Sequence, residues 1–137
     1  MPPEPRRIIL DEDMNWKLAR ELCQRGFRDA TSVRGLGLAN QNVKDGALIK
    51  GLAEHHEPCL LVAWDNKMYR NHRQELDHFA LTLAVIDKYA DRGGLNEEEY
   101  YRDVIHREVH RMAAQLLSSI YIYSRGPRRE IKPGVRP

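Results

Sequence analysis

The sequence predicts a single α/β domain built on one mostly parallel sheet, doubly wound, with helices flanking it. Three observations predict it. Residues 8–10, 60–64 and 81–86 form short apolar runs without polar alternation, as expected of strands covered on both faces. Between them lie stretches whose apolar residues recur at i, i+3 and i+4, the spacing of a helix with one buried stripe. Strands that alternate with helices imply right-handed crossover units. At 137 residues one domain is the default, and a chain of that length buries about two-thirds of its unfolded surface.

The elements follow in order. Residues 8–10 are the first strand. Asn15 caps a helix whose stripe is Leu18, Ala19, Leu22 and Cys23, and Gly26 stops it. A short strand over residues 30–33 precedes the glycine-bearing loop 35–40. Val43, Ala47, Leu48, Gly51 and Leu52 make the next stripe, which ends before Pro58. Residues 60–64 are the most strand-like segment, and the polar stretch 69–79 reads as a short helix.

The run 81–86 is a further buried strand, followed by Asp87 and a loop containing Gly93 and Gly94. Asn96 with Glu99 three residues on forms a capping box. It opens the longest helix, with Tyr101, Val104, Ile105, Val109, Met112 and Leu116 on one face. Residues 120–123 read as the last strand.

Composition is that of an ordinary soluble domain, 42% hydrophobic and 31% charged. The longest apolar run, residues 59–64, is far too short to span a membrane. Asp11 interrupts the only apolar run near the N-terminus, so no secretory core is expected and the cytoplasm is the expected compartment. Cys23 and Cys59 have neither metal-type spacing nor a partner framework, and both read as small buried hydrophobes. A net charge of +2 excludes little. Beyond residue 124, however, Arg125, Arg128, Arg129, Lys132 and Arg136 face Glu130 alone. We therefore read residues 1–124 as the domain and residues 125–137 as a basic, flexible tail.

The chemistry is expected where strands end in acid. The first strand runs into Asp11, Glu12 and Asp13, and the strand 60–64 runs into Asp65 and Asn66. In open α/β sheets ligands bind at the carboxyl edge, where these residues would gather. Asp45 falls in the first turn of the helix that begins at that edge. Three carboxylates placed together repel one another unless a cation neutralises them or their pKa values rise. Mg²⁺ or Mn²⁺ suits such oxygen ligands and lowers the pKa of coordinated water, the chemistry of a hydrolytic nuclease. Taken singly, each aspartate has a plainer use as a helix-start or loop-start residue. Their conjunction at one edge carries the metal reading.

At this point the residues resemble a family. Ile8-Ile9-Leu10-Asp11-Glu12-Asp13, followed by a helix ending at Gly26, resembles the opening of compact PIN-like domains related to VapC-type toxins. In that family a glycine-bearing loop precedes a helix with an early acidic residue, as Leu36-Gly37-Leu38 precedes Asp45 here. Ala63-Trp64-Asp65-Asn66-Lys67-Met68 is similar to its later strand-end motif. The likeness covers about residues 7–70 and, beyond them, element order alone. The resemblance implies a PIN-like fold and a Mg²⁺- or Mn²⁺-dependent endoribonuclease, the toxin of a toxin–antitoxin pair. It carries Asp11, Asp45 and Asp65 over as metal ligands. Asp13 stands where the family has a polar residue supporting the first ligand, with Glu12 and Asn66 beside the site. Lys67 departs from the pattern, because many relatives have a further Asp there. A cation at that place weakens a second metal site, so a catalytically inactive interaction module is the rival reading.

The partners so implied are RNA, an antitoxin protein and a second copy of the chain through the long helix, with no membrane. Arg34, Arg70, His72 and Arg73 flank the site to steer RNA, with Trp64 or Tyr69 to stack a base. His106 and His110 lack the intervening glutamate of a zinc protease motif and read as solvated helix positions. Asp11-x-Asp13 also matches the first motif of haloacid-dehalogenase-type phosphotransferases, whose folds need more chain between motifs. A receiver domain is a further candidate, although Asp65 lies late for a phosphoacceptor.

Overall fold

Six strands form one sheet in the order β2-β1-β3-β4-β5-β6. They are β1 (Arg7–Leu10), β2 (Thr31–Ser32), β3 (Cys59–Ala63), β4 (Thr82–Ile86), β5 (Ile120–Tyr123) and β6 (Arg129–Ile131). The first five run parallel, and β6 pairs antiparallel with β5. The helices are α1 (Lys17–Gln24), α2 (Asp45–His55), α3 (Lys67–Asn71), α4 (Arg73–Phe79) and α5 (Glu97–Ala113). The structure is a computed structural model that describes residues 6–36, 45–56, 58–64 and 67–131; of Asp45, Gly46 and Lys67 it describes the backbone. Among the described residues no helix is long and apolar enough to cross a membrane.

Alternation along the strands divides the core in two. Ile8, Leu10, Leu60, Val62, Ala84 and Ile86 pack with the apolar faces of α1 and α5. Ile9, Leu61, Ala63, Leu83, Val85 and Ile122 pack with α2, α3 and α4 on the opposite face. The buried strands carry apolar residues at nearly every position because each face has its own helical cover.

This distribution contradicts one expectation. The steps from β3 to β4 and from β4 to β5 run in the same direction along the sheet. Their helices lie on opposite faces, α3 and α4 on one and α5 on the other. Two such crossovers must have opposite hands, so the units are not all right-handed. The β1-α1-β2 and β2-α2-β3 steps share the hand of β3 to β4, which leaves the α5 crossover as the exceptional, left-handed one. Its effect is to lay α5 beside α1.

Local signals hold well. The Asn15 side chain accepts the Lys17 amide at 3.0 Å in the turn into α1, although the cap position itself is Trp16, whose side chain makes no cap bond. At the other end Phe27 N–H donates to Leu22 O and Gly26 N–H to Cys23 O, with Gly26 at φ +104°. That is the paired closure of a Schellman motif, and only glycine adopts its conformation without strain. The capping box of α5 forms in both directions, Glu99 N to Asn96 Oδ1 at 2.8 Å and Asn96 N to Glu99 Oε1 at 3.1 Å.

Four expectations need correction. In α2 the buried residues are Leu48, Ile49 and Leu52, and Ala47 is exposed, so the helix is rotated relative to the expected stripe. Val43 lies outside the described residues. Residues 69–79 fall in two helices, broken at His72. Leu116 lies beyond the end of α5 and is exposed, while Tyr100 joins the buried face. Within the expected tail, residues 129–131 pair with β5 as β6; residues 132–137 lie outside the described residues.

Candidate functional site

Between β1 and β3 the direction of chain progression along the sheet reverses, since β2 lies on one side of β1 and β3 on the other. Such a reversal opens a crevice at the carboxyl ends of the two strands, the usual ligand site of an open α/β sheet. Asp11 follows β1 at this edge. Asp65 follows β3 by two residues and lies outside the described residues. Topology also requires α2 to begin here, because it descends from the end of β2 to the start of β3. Asp45 is its first residue.

Asp11 is 9% exposed, an unusual burial for a carboxylate. Its amide donates to Val62 O at 2.9 Å, so the ladder between β1 and β3 continues one residue past β1. Alternation from Ile9 therefore puts Asp11 on the sheet face that carries α2. One carboxylate oxygen, Oδ1, accepts the Glu12 amide at 2.9 Å. The Asp11 carbonyl accepts the Met14 amide at 3.1 Å and closes the turn into α1. Glu12 and Asp13 are exposed on that turn.

A polar frame holds the turn from behind. Asn15 N–H donates to Tyr101 Oη at 2.8 Å, and Asn15 Nδ2 donates to Glu98 Oε1 at 2.5 Å. Both partners come from α5, so its placement beside α1 anchors the loop that carries Asp11. Burial pushes the Tyr101 hydroxyl above its ordinary pKa, and the Asn15 amide only partly offsets this. The phenol therefore stays protonated there. On the far side of β3, Asp87 follows β4, and its Oδ1 accepts the Tyr89 amide at 3.0 Å. Burial, then the charge of Asp87, raises the Tyr100 pKa. Among the described residues Asp87 is a further carboxylate on the same edge as Asp11, which the sequence reading treated only as a loop start. Its position directly after an apolar strand was the available signal.

The aromatic assignments change. Trp64 and Tyr69 are 5% and 2% exposed, and neither presents a face to a base. Trp64 packs edge-on against Tyr100, with Arg92 over its ring at 5.7 Å. Two exposed aromatics lie near this edge: Tyr89, 73% exposed, and Trp16, 43% exposed, with the Arg34 guanidinium 6.0 Å and the Lys17 ammonium 5.9 Å from the Trp16 ring. Arg34 and Arg70 are exposed as expected. Arg73 is tied to Asp77 at 3.1 Å, and His72 lies 3.8 Å from Glu75.

The structure thus places Asp11, the start of α2 and the end of β3 at one edge. Among the described residues no three His, Cys, Asp or Glu side chains gather as a metal-binding group. Asp65, Asn66 and the side chains of Asp45 and Lys67 are not among those described. His106 and His110 are not simply solvated. His106 bonds to Arg25 and Glu21, and His110 lies against Phe27 with ring centroids 5.1 Å apart. Comparison of the chain with protein-family models, with curated proteins and with solved structures found no match.

Proposed function

We propose that the chain is a PIN-like, divalent-metal-dependent endoribonuclease, the toxin component of a toxin–antitoxin pair. The observation that supports this most is a buried carboxylate, Asp11, at the carboxyl edge beside the β1/β3 reversal. A carboxylate is rarely so withdrawn from water unless charge or hydrogen bonding compensates it. Oxygen ligands of this kind fit Mg²⁺ or Mn²⁺. Asp11, Asp45 and Asp65 would hold the ion, with Asp87 the next carboxylate along the edge. When bound, the ion neutralises phosphate charge and acidifies water.

The other roles belong to the chain. Asn15, Glu98 and Tyr101 fix the turn that presents Asp11. Arg34 pairs with an RNA phosphate, and Trp16 offers its exposed face to a base. Receiver domains share the strand order 2-1-3-4-5. A run of right-handed crossovers, however, would set α5 beside α3 and α4, opposite to where it lies.

The test is cleavage of mixed RNAs by purified protein with Mn²⁺ or with EDTA, beside Asp11→Asn prepared identically. Metal-dependent cutting that disappears in the variant is the expected result. Equal cutting by both proteins identifies a contaminant. With both folded and no cutting by either, the rival reading of an inactive interaction module gains.

A further inference from the structure

At the opposite edge of the sheet, where β1 begins, lies a cavity of about 490 Å³. That size is within the range of small-molecule sites. Four arginines line it: Arg6 and Arg7 from the start of β1, and Arg25 and Arg28 from the end of α1. Among the described residues Asp29 is the one carboxylate in the lining. Phe27 and His110 contribute rings that pack at 55° to each other.

Two of the arginines have a structural duty. Arg6 Nη1 donates to the Gln115 carbonyl, and Arg25 Nη1 donates to the His106 carbonyl at 2.8 Å. Cations are favoured at helix C-termini, and the Gln115 carbonyl lies just beyond the end of α5, whereas His106 belongs to its middle. Arg7 Nε donates to the Asp29 carbonyl at 2.8 Å. These acceptors are uncharged, so they orient the guanidinium groups without neutralising them. By contrast, Arg102, Arg107 and Arg111 on α5 all have carboxylate partners. Arg28 is exposed, and its guanidinium has no hydrogen bond or ion pair among the described residues. Bonds to α5 and its end account for Arg25 and Arg6, and the Asp29 carbonyl orients Arg7, but Arg28 has no such structural partner among the described residues.

We infer that this cleft is a second ligand site, separate from the carboxylate edge, and that it takes a nucleoside triphosphate. Guanidinium forks match phosphate oxygens, and four arginines, three of them oriented by carbonyls, against one carboxylate among the described residues suit a ligand with three or four negative charges. The rings of Phe27 and His110 supply an apolar surface for the base. The inference does not rest on the nuclease reading, because it uses no residue of the carboxylate edge.

The experiment is calorimetric titration of the protein with ATP in EDTA, where a metal-dependent site is silent. Tripolyphosphate, adenosine and a single-stranded RNA serve as competitors. ATP should bind in EDTA, with affinity falling as salt rises. Arg28→Gln should weaken it about tenfold, the loss of one charge-assisted bond. Arg28→Gln together with Arg7→Gln should abolish measurable binding while the circular dichroism spectrum stays unchanged. Adenosine should not compete, and tripolyphosphate should compete less well than ATP. The inference fails if ATP does not bind, or if Arg28→Gln binds it as tightly as the parent. It also fails if tripolyphosphate equals ATP, which would make the cleft a simple anion trap. RNA that displaces ATP at a far lower phosphate concentration would make it an RNA groove instead.

Discussion

Arg25 donates from Nη1 to Nδ1 of His106 at 2.6 Å, joining the end of α1 to the middle of α5. A guanidinium has no acceptor, so Nδ1 must be the unprotonated nitrogen. The ring proton then sits on Nε2, which lies 3.1 Å from Glu21 Oε2. Each of the three groups fixes the role of the next, and Arg102 reaches the same Glu21 oxygen at 3.4 Å.

Long-range ¹H–¹⁵N spectra should therefore show His106 as the Nε2–H tautomer. In Arg25→Ala the two tautomers should coexist. An Nδ1–H signal in the parent protein would overturn the assigned roles.

Trp16 is the exposed tryptophan beside the carboxylate edge, and the other tryptophan, Trp64, is buried. Quenching of tryptophan fluorescence by RNA should therefore report on Trp16 and vanish in Trp16→Ala. Loss of one base stack should raise KM for RNA about tenfold and leave kcat nearly unchanged. An unaltered KM would remove Trp16 from the RNA path.

Gln115 is buried and serves three partners. Its Oε1 accepts Tyr123 Oη–H at 2.8 Å, and its Nε2 donates to Leu83 O at 3.0 Å and Ser119 Oγ at 3.3 Å. Gln115→Leu keeps the volume but strands a buried carbonyl and a phenol, at a cost of about 2 kcal/mol. Urea denaturation should show this as a lower midpoint with an unchanged slope. A change within error would mean that water replaces the amide.

Burial raises the Tyr123 pKa to about 12, against a partly offsetting hydrogen bond from Arg128. Between pH 10 and that value the unfolded chain releases this proton while the folded chain keeps it. Stability contributed by the buried phenol is thus complete below pH 10 and declines as pH rises toward 12, by about 2–3 kcal/mol in all. Tyr123→Phe should flatten that part of the stability profile. A parent profile already flat above pH 10 would count against the burial of the hydroxyl.

Local features were the legible ones. The capping box at Asn96, the stop at Gly26 and the three apolar strands each depend on residues a few positions apart. The carboxyl-edge position of Asp11 followed from where its strand ends. The missed features depend on chain-distant partners. Trp64 looked available for a base, but α5 covers it with Tyr100 and Tyr101. The cleft joins residues 6, 7, 25, 28 and 110, which no local pattern unites. Both misses have one origin. The general preference for right-handed crossovers places α5 on the wrong face, and only the observed packing returns it to α1.

That reversed crossover also bears on how the chain comes off the ribosome. Leu18 and Leu22 of α1 share a cluster with Val104, Ile105 and Val109 of α5, and Glu21 meets His106 across 85 residues. Helix α1 is made well before its main helical neighbour, α5. Contacts so remote in sequence slow folding and leave greasy surface exposed in the nascent chain. A truncated product ending before α5 would leave that side of its sheet with α1 as its one helical cover, making it a natural client for chaperones and proteases.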